Sequence, residues 1–412
     1  MPDSATPTLL VTVSGRDRPG LTSALFNAIA DVGAEVLDLE QVVVRGHLTL
    51  ALLLAAGPAD RRLREVIVTV GASLDVQVTV ESGKGDNAPR RGGRAVVVVL
   101  GAPLLASAVA AVAARIAAHG ANIDRIRRLS RYPVTTVELD VSGADIAALR
   151  SDLSLEAAVR GVDIAVSPAG LARRGRRLVV MDVDSTLIQD EVIDLLAKHT
   201  SKEAEVAEVT AAAMRGDLDF AESLRARVAT LAGLPVSVLD EARAAIRLTP
   251  GARTLVRTLK RLGFTVAVVS GGFIEVVGPL AAELGIDHVH ANRLGIKDGL
   301  LTGGLVGEIV DRRGKAAALR RFAAAEHLPM SRTVAIGDGA NDLDMLAAAG
   351  LGIAFNAKPM VREQADTAVN VPYLDAVLYL LGISREEIEE ADEADGRPTP
   401  APQLRAQLLS DT

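Results

Sequence analysis

Four clusters in this 412-residue chain combine acidic, hydroxyl, basic and small residues in ways that could do chemistry. The stretch Arg177 to Glu191, RLVVMDVDSTLIQDE, runs from an apolar segment, Leu178 to Met181, into Asp182, Asp184, Ser185 and Thr186. It reads as a buried strand that ends in a polar turn, so two carboxylates stand where the strand stops. In an open parallel sheet, ligands are met outside the carboxyl ends of the strands, which puts Asp182 in a candidate site and Asp184 just beyond it. Ser270-Gly271-Gly272 follows a predicted strand, Thr265 to Val269. Lys315 opens a predicted helix over 314–327, and Gly337-Asp338-Gly339-Ala340-Asn341-Asp342 follows a predicted strand, Thr333 to Ile336. Taken singly, each has an ordinary explanation as a turn, a solvated lysine or a loop capping its own helix. Together and in this order they point to one site.

The chemistry such a set could do is phosphoryl transfer. Asp182, Asp184 and Asp338 at one sheet edge make an all-oxygen site suited to Mg²⁺, a hard ion that accepts a few carboxylates and completes its shell with water and phosphate. The ion would screen an anionic nucleophile from an anionic substrate. The Ser270 hydroxyl, the Gly271 N–H and the Lys315 ammonium would hold the phosphoryl oxygens from the other side. An EF-hand loop needs a glycine that Asp182 to Asp194 lacks, and a receiver domain has no use for a proton donor two residues after its aspartate.

These residues need a scaffold. From Leu178 onward, strands and helices alternate, which implies a parallel sheet. Residues 198–247 interrupt the alternation with Ala-rich helical sequence and read as a cap inserted after the first strand. Gly295 to Val306 reads as a glycine-rich hairpin, and Leu351 to Phe355 as a further strand. Upstream, Gly33-Ala34-Glu35-Val36 resembles Gly120-Ala121-Asn122-Ile123, an offset of 87 from Gly33 to Gly120 that also carries Leu9–Val13 onto Val96–Leu100 and Leu48–Leu54 onto Thr135–Val141. Each copy reads βαββαβ, and a Gly-rich linker, Glu81 to Arg94, joins them. Ala95 to Ala114 is almost free of charge, but Gly101 and Pro103 split it, so it reads as a strand, a turn and the start of a helix instead of a membrane span.

Composition narrows the partners. Hydrophobic residues make up 49% of the chain, enough for several cores, but aromatic residues make up only 2% and Trp is absent, which leaves little for base stacking. A net charge of -7 argues against nucleic acid as the main partner. Zero cysteines exclude disulfides, thiolate metal sites and cysteine nucleophiles. The N-terminus lacks the features of a signal peptide, so a cytoplasmic protein with no membrane partner is expected.

The first repeat, through Val11 to Leu21 (VTVSGRDRPGL) and the Gly33 to Gln41 stretch, resembles the ACT family of amino-acid-sensing domains. The second does so more weakly, because Gly101-Ala102-Pro103-Leu104 replaces the D-x-P-G turn. The resemblance implies an amino-acid effector such as serine near Gly15 and Asp17, and a homodimer formed through these modules. Modules used only for dimer contacts, and an Asp17 that merely caps the next helix, fit the same residues.

The four clusters match in order the motifs of the haloacid dehalogenase superfamily. That resemblance implies that Asp182 is a nucleophile forming an aspartyl-phosphate, and that Asp184 is the acid and then the base. It also implies Mg²⁺ on Asp182, the Asp184 main-chain carbonyl and Asp338, with Asp342 in support. Asp190-Glu191, Asp217 to Phe220 and Leu224 to Val228 further resemble the phosphoserine phosphatase family, which implies O-phosphoserine as substrate. On this resemblance Glu191 meets the serine ammonium, Arg227 its carboxylate, Phe220 walls off water and Asn341 bonds the phosphate side. The expected fold is α/β: a Rossmann-like core (176–384) with a helical cap (198–247), preceded by two ferredoxin-like ACT modules (1–85 and 94–170) and followed by a flexible tail (385–412).

Overall fold

The structure, a computed structural model, describes residues 7–56, 60–85, 92–131, 133–170, 173, 175–199 and 220–400. Residues 200–219 of the expected cap and 401–412 of the expected tail lie outside this set. The chain divides into two compact units, Met1–Arg90 and Arg91–Thr412.

In the first unit, β1 (Pro7–Arg16), β2 (Val36–Val44), β3 (His47–Ala55) and β4 (Gln77–Lys84) form an antiparallel sheet in the order β2-β3-β1-β4. The period-2 pattern selects the buried face: Leu9, Val11 and Val13 of β1 and Leu48, Leu50, Leu52 and Leu54 of β3 are each 0% exposed. Leu21, Leu25 and Ile29 of helix Leu21–Ala30, with Leu63 and Ile67 of helix Asp60–Ser73, cover that face at helical spacing.

The second unit begins with the repeat of this motif. β5 (Ala95–Gly101), β6 (Asn122–Ser130), β7 (Thr135–Ser142) and β8 (Asp163–Pro168) pair in the equivalent order, β6-β7-β5-β8. The apolar stretch from Ala95 therefore is a strand followed by helix Ala106–Ala118, and among the described residues no helix is long and apolar enough to cross a membrane. Where β1 alternates, β5 is buried at all seven positions. One face, with Val97 and Val99, packs on the module's own helices. The other, with Val96, Val98 and Leu100, joins the core of the catalytic sheet. A strand covered on both faces needs a continuous apolar run, and AVVVVL supplies it.

That catalytic sheet has seven strands in the order β12-β11-β10-β9-β13-β14-β15. β9 (Leu178–Met181) lies at its centre, flanked by β10 (Thr265–Phe273) and β13 (Thr333–Gly337). Outward lie β11 (His288–Lys297), β12 (Leu300–Val306), β14 (Leu351–Phe355) and β15 (Thr367–Val369). All neighbours pair in parallel except β12, the second arm of the expected hairpin. All four residues of β9 are 0% exposed. The chain leaves β9 to one side for β10 and returns on the other with β13, which opens a crevice at their carboxyl ends. Helices Phe220–Ala229 and Ser237–Ala245 lie between β9 and β10 in sequence, within the expected cap.

The outer strand β15 meets the second module. Thr367 Oγ1 donates to the Ile164 carbonyl (2.8 Å), and the buried Asp163 carboxylate accepts from the Asn370 backbone N–H (2.8 Å) and side-chain amide (2.5 Å). Arg150 bonds both the Val166 carbonyl and Asp366.

The expectation of a flexible tail from 385 is corrected. Arg385–Ala394 is an α-helix opened by a capping box, with Ser384 and Glu387 bonding reciprocally. It is pinned at Asp392, whose side chain is 0% exposed and accepts from Arg257 (Nε, 2.9 Å), Arg261 and Thr399. Burial alone would push this carboxyl up, but the hydrogen bonds from Arg257, Thr399 and Arg261 bring it down to about 2. A carboxyl whose folded value lies below its usual one contributes stability above pH ~4 that is lost as the pH falls towards 2. Asp392→Asn is therefore expected to cost about 1.5–3 kcal/mol, the scale of a hydrogen bond to a charged group, in urea unfolding at pH 7. The difference from the parent should shrink as the pH falls from 4 to 2.

Candidate active site

The carboxyl ends of β9, β10 and β13 converge on a cavity of about 200 Å³ lined by Asp182, Asp184, Glu191, Arg227, Asn341 and Gly271 among others. Asp182 is 3% exposed; its backbone N–H bonds the Ile336 carbonyl of β13 (2.9 Å), which fixes it at the end of the central strand. Its Oδ1 accepts from the Val183 N–H (2.7 Å) and its Oδ2 lies 2.6 Å from Lys315 Nζ. The next turn of chain is tight, with Ser185 in the left-handed region (φ 58°). Such a conformation costs a non-glycine residue roughly 1–2 kcal/mol. The Ser185 hydroxyl bonds Glu191 Oε1 (2.9 Å), and the adjacent Thr186 hydroxyl bonds Asp338 Oδ1 (2.6 Å).

Asp184 is held at both oxygens. Oδ1 accepts from the Val192 N–H (2.7 Å) and Oδ2 from the Ser270 hydroxyl (2.9 Å). Burial pushes its carboxyl up against these hydrogen bonds. Burial, and then the Asp342 charge, push Asp182 well up against Lys315, while burial takes Asp338 to about 6. Lys315, 0% exposed, also bonds Asp342 Oδ1 (2.8 Å); burial would lower its value, but Asp182 and Asp342 raise it above the usual one. Glu191 is exposed by area. Desolvation by the cavity walls, and then the Asp184 charge, nevertheless take it up to about 7.

Asp182, Asp338 and Asp342 each offer an oxygen, all within 4.8 Å of one another. Three carboxylates this close, with one ammonium bonded to two of them, form a donor set for a hard divalent cation, and such an ion would offset the crowding of negative charge. Glycine is required at 337 for steric reasons, and at 339 it leaves the Asn341 amide in place. A Cβ at Gly337 would lie 2.4 Å from Asp342 Cγ, and one at Gly339 would lie 2.2 Å from Asn341 Oδ1.

The structure thus brings Asp182, Asp184, Glu191, Arg227, Gly271, Asp338 and Asn341 to one cavity. Ser270 and Lys315, expected to face phosphoryl oxygens, are fully buried behind it, with the Ser270 hydroxyl donated to Asp184 and Lys315 bonded to Asp182 and Asp342. Asp342, expected only in support, stands in the carboxylate cluster itself. Arg227 Nε is buried without a hydrogen-bond partner, an orphaned donor at the cavity wall. Phe220 is the first residue of its helix, and its side chain lies outside the described part. In the first unit, Gly15 is needed because a Cβ would lie 2.6 Å from Val76 Cγ1, and Asp17 is exposed. Helix Leu21–Ala30 has no side-chain cap bond, so capping does not explain Asp17. Sequence reasoning gave no role to Ser185 or Thr186, although both stand in the polar run after Asp182, nor to Ile193, Leu224 and Gly339, which also line the cavity.

Comparison with known proteins gives the chain a family. Residues 179–347 match the haloacid dehalogenase-like hydrolases, and residues 7–81 and 94–167 each match an ACT domain. The phosphoserine phosphatase of Streptomyces coelicolor is 61% identical over 404 residues, 96% of this chain and 98% of the relative. A phosphoserine phosphatase of Mycobacterium tuberculosis is 53% identical over 94% of this chain and 96% of its own length. A crystal structure of a probable phosphoserine phosphatase from Vibrio cholerae, in unliganded form, aligns with TM-score 0.55 and 34% identity over 72% of this chain and 88% of its own. The chain belongs to the phosphoserine phosphatase family of haloacid dehalogenase-like hydrolases, and carries two ACT domains.

Proposed function

We propose that the protein hydrolyses O-phosphoserine to serine and phosphate through an aspartyl-phosphate on Asp182, as the last step of serine synthesis in the cytoplasm. The observation that carries this reading is the pairing, on one small cavity, of the Asp182/Asp184 carboxylates with Glu191 and the orphaned Arg227 Nε. A zwitterionic amino acid needs one anion for its ammonium and a guanidinium for its carboxylate.

In the first step the Asp182 carboxylate attacks phosphorus, forming an acyl phosphate as the bond from phosphorus to the serine oxygen breaks. Asp184, entering this step in its protonated form, gives its proton to the departing oxygen. Once serine has left, Asp184 takes a proton from water as that water attacks phosphorus, and the Asp182 carboxylate is regenerated. Ser270 and Val192 keep Asp184 at a fixed angle to both events. The Gly271 N–H and Asn341 are available to the phosphoryl oxygens. Lys315 holds the nucleophile's carboxylate against Asp342. The Asp182 and Asp338 carboxylates, with the Asp184 carbonyl and Asp342 in support, would hold Mg²⁺, which supplies charge neutralisation between nucleophile and phosphate. The ACT modules would bind an amino acid such as serine and hold two copies of the chain together.

Phosphate release should follow addition of Mg²⁺, stop with chelator and fall at least a thousandfold in Asp182→Asn. Turnover that survives either treatment rules the scheme out. Glu191→Gln and Arg227→Ala should each lower kcat/KM for phosphoserine about 10- to 100-fold, the loss of one charged hydrogen bond, while barely changing hydrolysis of p-nitrophenyl phosphate. Equal losses on both esters would show that these residues do not read the amino acid.

A further inference from the structure

The scheme above gives no task to Asn292, a polar residue 2% exposed on β11. β10 pairs with β11 as Ser270↔Ala291 and then as Phe273↔Asn292, so Gly271 and Gly272 bulge out of the ladder between them. The Asn292 side chain fills the place of the missing ladder partner. Its Nδ2 donates to the Gly271 carbonyl (2.8 Å) and its Oδ1 accepts from the Val310 N–H (2.8 Å).

The same peptide is gripped from its other side. The Gly272 N–H donates to Ser270 Oγ (2.7 Å), and the hydroxyl donates its proton to Asp184 Oδ2 (2.9 Å). The room beside it is tight, since a Cβ at Gly272 would lie 3.0 Å from both Asp184 Oδ2 and Ser270 Oγ. At the far end, Val310 precedes Asp311, whose carboxylate accepts the Gly314 N–H (2.7 Å) and starts helix Arg312–Ala325, the helix that carries Lys315. A single buried amide therefore ties the cavity-lining glycine loop to the base of the lysine helix, and stands at the head of a file of hydrogen bonds that ends on Asp184.

We propose that Asn292 is a positioning residue for phosphoryl transfer. It fixes the plane of the Gly271–Gly272 peptide, and through it the direction of the Ser270 hydroxyl and the set of Asp184. Without its Nδ2 the bulged peptide is free to rotate, the Gly272 N–H leaves Ser270, and the hydroxyl loses the bond that directs its proton to Asp184. Hydrogen bonds in such a file polarise one another, so loss of the first weakens those that follow. The amino-acid half of the cavity, Glu191 and Arg227, lies outside this file. This inference rests on the phosphohydrolase reading.

The test compares wild type, Asn292→Ala, Ser270→Ala and the double variant of the full chain, on whichever phosphomonoester the wild type turns over. Asn292→Ala should lower kcat about 10- to 100-fold, the cost of a small misplacement. Inhibition by inorganic phosphate should weaken several-fold, while inhibition by the product alcohol, serine for phosphoserine, stays within twofold. The double variant should lose clearly less than the product of the two single losses, because both act on one file. Should Asn292→Ala not fold, Asn292→Ser, too short to reach Gly271 and Val310 together, is measured in the same way. A folded variant with kcat within twofold of wild type overturns the proposal, as do equal losses in phosphate and alcohol binding or single losses that multiply fully. A wild type that turns over a different phosphomonoester overturns the substrate assignment and leaves this inference standing.

Discussion

The structure depends on negative charge held together out of water. Asp182, Asp338 and Asp342 bring their oxygens within 4.8 Å of one another, and the buried Lys315 ammonium bonds two of the three. Separating a buried lysine from such partners would strand an ion in a medium that cannot solvate it. The cluster is therefore kept by what surrounds it: β9 and β13 locked side by side, the Thr186 hydroxyl on Asp338, and a glycine at 337 where any side chain would collide with Asp342. The charge left over could hold a metal ion, which is what the proposed reaction on a phosphate ester calls for.

Much of the candidate site's geometry was legible because its residues sit in contiguous motifs. A strand-end D-x-D-S-T carries its own placement, and G-D-G-A-N-D names both its carboxylates and the glycines that make room for them. Residues whose partners are distant in sequence were harder to read. Lys315 was expected to meet phosphoryl oxygens, and its bonds to Asp182 and Asp342 are ones that sequence spacing does not reveal. Asn292 is a lone amide within an otherwise unremarked strand, and its role is visible only once the bulge in β10 is known. The helix Arg385–Ala394 was taken for tail because its composition is acidic and polar. Asp392 is held chiefly by Arg257 and Arg261, more than a hundred residues away.

The two ACT modules show how one motif serves two surroundings. Both have the same strand order, yet β1 alternates apolar and polar residues while β5 is apolar at nearly every position. The backbone plan is shared. What differs is how many faces of the strand are shielded from water, and the hydropathy pattern of each strand carries that difference in its own residues.

The seam at β8 and β15 bears on how the chain can be divided. Val96, Val98 and Leu100 share a core with the catalytic sheet, and Asp163, Arg150 and Ile164 are bonded to Asn370, Asp366 and Thr367. The second module is therefore a wall of the hydrolase, not an appendage hung from it. A chain severed near Pro168 would bare an oily flank and an unpaired sheet margin, inviting self-association. Subdividing this protein for study has to follow the fabric of its cores and not the borders of its sequence families.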